Sequence, residues 1–490
     1  MNPEFNIPAE LIVTRNSSEN RFEVTIGGRL AKVDYRTSGN RMIITHTEVP
    51  DVLRGKGVAE QLVAFVVRYA RKEGLEVVAE CGKPGSQSLV TASVPGRIPA
   101  ASDISQLPRG AIASLKMNVL DRSLPVTHSR LKAPIRLGYV GCGFMAQRVH
   151  LPNFSTLPKC ALLAIAERRS QLARAVANRF AVEKVYSSHL ELAADAEIDA
   201  VAISANYAQQ GEIAVDLLKA GKHVFIEKPM AVSVLQGEKI LNAAKEGNSR
   251  LMVAFMKRFD PGNVLARTTI CRWRRDGTKC RLLYARNHGF QGNWLNGLSQ
   301  AEPFTNSDEP IEAFDAASLL PSWLPNNETN KYLAYVQQYS HNLNLLRFIL
   351  EADQQRKTRV ETVSLDVDGI TGLTVLHLSG IRSTLETATS KFHAWDEQTQ
   401  IYFEGGWIRL AAPRFFAKSE FSTVEIYEAT PFPHYSYPVV SSEHEWPYRT
   451  EAAHFLTSLE SGQPFVSSGE DALIDVWLSE EIYKKYLRIT

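Results

Sequence analysis

The chain contains 490 residues, of which 44% are hydrophobic and 22% are charged, and its formal net charge is +2. This length allows two or three domains, and the balanced charge gives no electrostatic reason to expect nucleic acid or an anionic membrane as a partner. Five scattered cysteines argue against a disulfide framework or a metal site, and the lack of a long apolar run or a signal pattern favours a cytoplasmic protein.

Alternating apolar residues in the first eighty positions predict a small sheet with one helix. Gly27 and Gly28 separate two such runs, which is typical of a β-hairpin turn. A later run has its apolar residues at helical spacing. The predicted elements are, in chain order, strands over 22–26, 30–35 and 41–47, a helix over 60–73 and a strand over 75–78.

A glycine-rich turn precedes this predicted helix and reads Arg54-Gly55-Lys56-Gly57-Val58-Ala59. Successive backbone N–H groups in such a turn, at a helix N-terminus, can surround a phosphate. Together with the upstream segment 46–49, the turn resembles that of the very small Gcn5-related N-acetyltransferases, over residues 5–82. The resemblance implies that residues 54–59 bind acetyl-CoA.

The chain departs from that family after Cys81, which matches a cysteine at the end of a strand in the small members. Those proteins continue into an aromatic- and histidine-containing helical tail, whereas Gly82 begins a stretch rich in Ser, Ala, Pro and Gly. We therefore expect an N-terminal domain over 1–82 and a linker over 83–133. Acetyl transfer, CoA binding without transfer, and a structural role all stay open for this domain.

A buried-type strand over 135–140 is followed by the turn Gly141-Cys142-Gly143-Phe144-Met145-Ala146. This G-x-G-x-x-A lets backbone N–H groups approach a pyrophosphate at a helix N-terminus. A second apolar strand over 161–166 ends on Glu167, 24 residues after Gly143, where a carboxylate can bind a ribose diol. The order of these elements predicts a dinucleotide site, and a turn that binds nothing is the alternative.

The residues that follow this acid leave the choice of dinucleotide open. Glu167 repels a 2′-phosphate and favours NAD, whereas Arg168 and Arg169 can pair with that phosphate and favour NADP. We therefore expect NAD or NADP, with a slight preference for NAD.

Two further buried strands, over 199–204 and 222–226, end at the same edge of the predicted sheet. Lys228 follows the second strand, and a lysine there can hold a substrate oxygen and stabilise developing negative charge. The alternative is a surface lysine before a proline turn. The other residues that we expect at the cofactor along this edge are Asn206, Gln210 and Glu227.

These motifs and the segment 256–262, Met-Lys-Arg-Phe-Asp-Pro-Gly, resemble the Gfo/Idh/MocA family of oxidoreductases from Ile135 almost to the C-terminus. The resemblance implies a Rossmann domain, here 134–258, and a C-terminal α/β domain, here 259–490, with a large open, mainly antiparallel sheet. In the family this sheet often mediates oligomerisation, so we expect a homodimer or homotetramer. The strands predicted for it span 282–288, 360–367, 372–379, 383–389, 401–403 and 407–410.

In this family the lysine usually works with an aspartate and with a histidine four residues later, which takes the hydroxyl proton. His341 matches the histidine, but Gln337 stands at the aspartate position and cannot raise the imidazole pKa as a carboxylate would. The resemblance thus implies catalytic roles for Lys228, Gln337 and His341. The alternative for His341 is a histidine packed at a domain interface.

The substrate residues are expected by analogy with the family, under a loop over 292–328. Polar groups mixed with aromatic faces suit a sugar or cyclitol. The residues expected to contact the substrate are Lys257, Arg258, His288 and Trp294.

The sequence therefore predicts an α/β and α+β protein with an acetyltransferase-like domain, a doubly wound parallel Rossmann sheet and a C-terminal α/β domain. The function it favours is NAD(P)-dependent hydride transfer to or from a hydroxyl or carbonyl of a sugar, amino sugar or cyclitol. The alternative is a non-redox or regulatory protein, or an internal redox-cycling lyase or epimerase, that retains its dinucleotide, with an N-terminal domain that only binds CoA.

Overall fold

In a computed structural model the chain divides into two compact units, residues 1–127 and residues 128–490. The predicted CoA-binding residues 54–57 and the linker residues 83–132 lie outside the described part. The structure describes residues 11, 13–38, 41–53, 58–73, 75–79, 133–277, 279, 281–295, 298, 304–311, 314–351, 358–391, 395–429, 433–438, 440 and 444–489.

The first unit is a five-stranded sheet with one α-helix packed against it; the helix and four of the strands were predicted from the sequence, and the short strand β1 was not. Gly27 and Gly28 have φ angles of 53° and 75° in the hairpin turn. Alternate strand residues such as Phe22 and Val24 meet Leu62 of the helix in a buried core. In sheet order the strands are β1 (Thr14–Asn16), β2 (Arg21–Ile26), β3 (Arg29–Ser38), β4 (Arg41–Glu48) and β5 (Glu76–Ala79), and the helix is α1 (Val58–Lys72).

The second unit begins with a parallel sheet of six strands, ordered β11-β10-β9-β6-β7-β8. Its central strands are buried on both faces, as expected for strands that helices cover from either side. The strands are β6 (Ile135–Val140), β7 (Cys160–Ala166), β8 (Lys184–Tyr186), β9 (Ala200–Ile203), β10 (His223–Glu227) and β11 (Leu251–Ala254).

Helices connect these strands in the doubly wound arrangement. After the glycine turn the chain first makes a segment with π-type hydrogen bonds, Ala146–His150, and then continues as a short α-helix. The helices are α2 (Leu151–Phe154), α3 (Ser170–Phe180), α4 (His189–Ala194), α5 (Gln210–Lys219) and α6 (Val234–Glu246).

The rest of the second unit is built on an eight-stranded sheet, ordered β13-β14-β15-β12-β16-β17-β18-β19. Among its described strands, β12 and β15 pair in parallel, and the other neighbours pair antiparallel. The strands are β12 (Leu282–Gln291), β13 (Arg359–Leu365), β14 (Gly372–Leu378), β15 (Ile381–Thr389), β16 (Asp396–Phe403), β17 (Gly406–Ala411), β18 (Thr423–Glu428) and β19 (His434–Ser436).

Four longer helices join the two sheets of this unit. Buried residues of α7 and α8 pack on one face of the eight-stranded sheet, those of α9 pack against the parallel sheet, and those of α10 contact the cores of both sheets. The last two helices of the chain therefore pack against the parallel sheet with which the second unit begins. These helices are α7 (Pro261–Asp276), α8 (Thr329–Leu350), α9 (Pro447–Ser461) and α10 (Gly469–Tyr486).

The architecture confirms the predicted fold class, a parallel doubly wound sheet followed by a large, mainly antiparallel one. Most predicted strands are present with ends shifted by a few residues, and β16 begins five residues before its predicted start at 401. In the part of the chain that the structure describes, no helix combines the length and the apolar character needed to cross a membrane.

Candidate active site

A cleft of about 770 Å³ opens at the carboxyl ends of strands β6, β7, β9 and β10. This edge, where the strand order reverses between β6 and β9, is where open parallel sheets bind their ligands. The cleft also reaches α8 of the C-terminal half. Of the predicted site residues, those that line it are Gly141, Gly143, Phe144, Met145, Glu167, Arg168, Asn206, Gln210, Glu227, Lys228, Trp294, Gln337 and His341.

The two glycines of the turn differ in what limits them. Gly141 has a φ angle of +93°, and a Cβ there would lie 2.5 Å from the carbonyl oxygen of Ser204, so only glycine fits. A Cβ on Gly143 would meet no atom within 4 Å, because this glycine faces the open cleft. Ala146 is fully buried beneath the turn and lets the helix sit close to the sheet. The turn thus leaves room for a phosphate group.

Glu167 ends β7 as predicted, but its carboxylate is already fully hydrogen-bonded. Oε1 accepts from the backbone N and Nε of Arg169 at 3.1 and 2.9 Å. Oε2 accepts from Nη2 of Arg169 at 3.0 Å and from the backbone N of Cys142 at 2.9 Å. Because a carboxylate offers about four acceptor positions, a ribose diol can bind here only after Arg169 moves. Burial raises the pKa of Glu167, and the hydrogen bonds from Arg169 and Cys142 outweigh it and lower the pKa.

Lys228 lies at the tip of β10 and reaches across to α8. Its Nζ donates to the carbonyl oxygen of Gln337 at 2.8 Å. Burial lowers the pKa of Lys228 to about 8, and the neighbouring Glu227 partly opposes that shift. A lysine with this pKa carries a positive charge at neutral pH and can release a proton within the physiological range.

Glu227 and Gln210 line the cleft, yet their contacts hold the turn around Lys228 in place. The Glu227 carboxylate accepts from the backbone N of Lys228 at 3.0 Å and contacts Nε2 of His150 at 2.7 Å. Gln210 donates to the carbonyl oxygens of Glu227 and Pro229, each at 2.7 Å. Sequence reasoning assigned both residues to the cofactor, and the structure adds this positioning of Lys228.

His341 lies one helical turn after Gln337, and both residues line the cleft. The imidazole is buried. Its ring centroid lies 6.1 Å from that of Phe255 and 6.0 Å from that of Phe415. Burial lowers the pKa of His341 well below its ordinary value, and the positive charges of Lys228 and Lys257 add to the effect. Its Nδ1 atom has no hydrogen-bond partner among the described residues. A neutral imidazole in this position can accept a proton.

Three of the predicted substrate residues contact carboxylates and do not line this cleft. Lys257 binds the buried carboxylate of Glu397. Arg258 is buried and bonded to Asp471, and it does not line the cleft. His288 contacts Glu386 at 2.9 Å on the sheet, also away from the cleft. Arg258 and His288 therefore contact carboxylates that are distant in sequence, and their role at the substrate stays a prediction.

Several residues that line the cleft were not predicted from the sequence. The rings of Trp395, Phe415 and Tyr448 come from segments that carry no motif. Ile311 lines it as well, from the described piece of the predicted covering loop. Among the described residues, no group of three or more His, Cys, Asp or Glu side chains could hold a metal ion.

Two family models match the chain. Residues 135–255 match the GFO_IDH_MocA model, described as an oxidoreductase family with an NAD-binding Rossmann fold. Residues 21–82 match a model described as a GCN5-related N-acetyl-transferase.

Curated relatives match about a quarter of this chain. The myo-inositol 2-dehydrogenase of Thermotoga maritima is 29% identical over 126 residues, which cover 26% of this chain and 37% of that protein. A dTDP-3,4-didehydro-2,6-dideoxy-α-D-glucose 3-reductase of Actinomadura kijaniata is 36% identical over 123 residues, which cover 25% and 37%. The matched segment therefore spans little more than a third of these relatives.

Solved structures resemble a larger part of the chain. KijD10, a 3-ketoreductase from Actinomadura kijaniata solved with NADP and TDP-benzene, aligns with a TM-score of 0.54 at 19% identity, over 72% of this chain and 98% of its own. The aldose-aldose oxidoreductase from Caulobacter crescentus aligns with a TM-score of 0.54 at 16% identity over the same shares. At these identities the likeness shows the fold alone.

Proposed function

Because residues 135–255 belong to the NAD-binding Rossmann fold of the Gfo/Idh/MocA oxidoreductase family, we propose that this chain is an NAD(P)-dependent oxidoreductase. The proposed reaction moves a hydride to or from the hydroxyl or carbonyl carbon of a sugar, amino sugar or cyclitol. The observation that carries it is the meeting of Lys228, Gln337 and His341 in the same cleft as the glycine turn.

The residues of the cleft fit a dinucleotide. Gly143 leaves open space where a side chain would block the approach of a pyrophosphate, and Glu167 stands at the position of a ribose-binding acid. Asn206 and the ring of Phe144 line the same cleft. When bound, NAD(P) accepts or donates the hydride.

His341 and Lys228 divide the proton and charge chemistry between them. In the oxidising direction, neutral His341 takes the proton of the substrate hydroxyl, and it returns that proton in the reducing direction. The Lys228 ammonium stabilises the negative charge that develops on the substrate oxygen. The Gln337 carbonyl fixes the lysine by accepting its hydrogen bond at 2.8 Å.

The substrate class is supported by the walls of the cleft and by the relatives. Polar groups alternate with the rings of Trp294, Trp395 and Phe415, a combination that suits the polar edges and apolar faces of sugar rings. Curated relatives include an inositol dehydrogenase and a deoxysugar reductase.

The test is turnover of a panel of sugars and cyclitols by wild type and by His341→Gln. General-base catalysis contributes about 10²–10⁴-fold, so the variant should lose a rate of that order while its nucleotide affinity stays near wild type. Equal rates for the two proteins would contradict the role of His341. A nucleotide that co-purifies and does not exchange during turnover would instead support internal redox cycling.

For the N-terminal unit we propose that the turn over 54–59 binds the pyrophosphate of acetyl-CoA, on the strength of the family match over 21–82. Calorimetric titration of CoA into wild type and Gly57→Glu tests it, because a carboxylate in the turn repels a phosphate. Unchanged CoA affinity in the variant would overturn the proposal.

We also propose that the open face of the eight-stranded sheet joins copies of this chain into a homodimer or homotetramer. Helices α7 and α8 cover the other face. The open face carries half-buried aromatic side chains on neighbouring strands, among them Trp407, Tyr427 and Tyr402. Aromatic residues of this kind are enriched at interfaces.

A further inference from the structure

The segment Phe304–Ile311, which we call the strap, lies against the Rossmann half of the second unit. Its anchor is a two-way contact with the side chain of Gln147. Gln147 Oε1 accepts from the backbone N of Thr305 at 2.9 Å, and its Nε2 donates to the carbonyl oxygen of Thr305 at 2.8 Å. The ring of Phe304 packs beside Phe144 of the glycine turn, with centroids 6.0 Å apart.

Four residues after this anchor, the Glu309 carboxylate sits on the first turn of α3. It accepts from the backbone N of Gln171 at 3.1 and 3.0 Å, from the backbone N of Leu172 at 3.2 Å and from Ser170 Oγ at 3.2 Å. Desolvation raises the pKa of Glu309, but the hydrogen bonds, chiefly from Gln171, outweigh it and lower the pKa. The group is therefore a carboxylate at neutral pH.

This carboxylate stands beside the expected adenosine end of the cleft. α3 follows directly on Glu167 and Arg169, and in Rossmann folds this turn is where a ribose 2′-hydroxyl or 2′-phosphate lies. Ile311, two residues after Glu309, lines the cleft together with Arg168 and Arg169. The charge of Glu309 also raises the pKa of Arg169, after the larger contribution of Glu167.

We propose that Glu309 is a specificity-determining residue that selects NAD(H) against NADP(H). The proposal rests on the proposed function, since it concerns the same dinucleotide site. It goes beyond the Glu167 and arginine motif, which leaves the two cofactors undecided.

Charge and hydrogen-bonding capacity explain the selection. A 2′-phosphate needs hydrogen-bond donors and positive charge. The backbone N–H groups of Gln171 and Leu172 already donate to the Glu309 carboxylate. NADP(H) therefore binds only if the strap releases those donors, and its phosphate meets two carboxylates, Glu167 and Glu309. NAD(H) needs only a shift of Arg169 that frees the Glu167 carboxylate for the ribose diol.

The test compares the dissociation constants of NADH and NADPH, by fluorescence titration, for wild type, Glu309→Gln and Asp308→Asn. Asp308 is the exposed neighbouring carboxylate on the strap and serves as the matched control for loss of one charge. We expect wild type and Asp308→Asn to prefer NADH. Loss of a charged competitor for those donors should tighten NADPH binding in Glu309→Gln by roughly tenfold or more, with NADH changed by less than about threefold.

Two results would overturn the inference while leaving the oxidoreductase proposal intact. One is a wild type that binds NADPH as tightly as NADH. The other is a ratio of dissociation constants that Glu309→Gln leaves unchanged. Failure of wild type to bind either nucleotide would instead contradict the proposed function. Thermal unfolding of the three proteins confirms that the comparison is made on folded protein.

Discussion

Lys228 donates its Nζ hydrogen bond to the backbone carbonyl oxygen of Gln337 at 2.8 Å, which joins the tip of a Rossmann strand to the long helix α8. Since the acceptor is the main chain, the Gln337 side chain is not needed to hold the lysine. Gln337 and His341 both line the cleft. Gln337, at the position where the family resemblance implies an aspartate, can therefore be changed without loss of the lysine contact.

Gln337→Asp should raise the pKa of His341, because an anion one helical turn away stabilises the imidazolium. In wild type, burial holds this pKa well below its ordinary value, so activity that needs neutral imidazole should persist at acidic pH. In the variant, the acidic limb of the pH profile of kcat/KM should therefore move to higher pH.

The matched control for this substitution is Gln337→Asn, which shortens the side chain equally but adds no charge. Its pH profile should follow wild type. If Gln337→Asp and Gln337→Asn give the same acidic limb, His341 does not act as the base whose pKa governs the reaction.

Catalysis should weaken as pH rises through about 8, where Lys228 loses the proton that makes it positive. Lys228→Arg keeps a charge at every accessible pH, so its rate, although lower, should stay flat over this range. Lys228→Met should lose about 10²-fold or more in kcat at all pH values, as expected for removal of one electrostatic contact to a developing oxyanion. A limb near pH 8 that persists in Lys228→Arg would assign it to another group.

The lowered pKa of Lys228 also predicts how the stability of the protein depends on pH. Its pKa is about 8 in the folded protein and 10.5 in the unfolded chain, so between these values the unfolded chain binds more protons. The free energy of unfolding contributed by this group therefore rises with pH from about 8 to about 10.5. Lys228→Met should raise Tm over wild type at pH 7, and the difference should shrink as pH approaches 10.5. A difference independent of pH would contradict the buried charge.

The sequence predicted the elements well because local periodicity reports burial. The strands around Gly141 are short apolar runs, and the structure buries them. Side-chain partners distant in the chain were not predictable. Arg258 lies in the motif over 256–262, but it binds Asp471, which lies 213 residues later. The same holds for the strap, whose contact between Gln147 and Thr305 spans 158 residues and leaves no periodic signal.

Gly143→Ala and Gly141→Ala should separate binding from folding within one turn. A methyl on Gly143 points into the open cleft, so we expect stability within about 0.5 kcal/mol of wild type and nucleotide affinity weakened roughly tenfold. A methyl on Gly141 collides with the Ser204 carbonyl at 2.5 Å in a left-handed backbone, so this variant should lose about 1–3 kcal/mol or more of unfolding free energy. Chemical denaturation and NADH titration measure the two effects.

If Gly143→Ala and Gly141→Ala changed stability and nucleotide affinity in the same way, the separation of binding from folding would be contradicted. Loss of stability in Gly143→Ala would mean that the turn is closed by other residues in solution. Full nucleotide affinity in Gly143→Ala would mean that the pyrophosphate does not approach this glycine.

Trp407→Glu should break the proposed self-association through the eight-stranded sheet. The Trp407 ring stacks on Tyr427 with centroids 5.7 Å apart and contacts Tyr435 at 6.0 Å, which forms an aromatic patch on the open face. A carboxylate at its centre would be desolvated on association, so we expect the dimer to weaken by about 2 kcal/mol or more. Light scattering after size-exclusion chromatography measures the change in mass. Leu235→Glu, at a residue on α6 that is 75% exposed, is the control and should leave the mass unchanged. A wild type that is monomeric at micromolar concentration, or a Trp407→Glu variant with the mass of wild type, places the association on another surface.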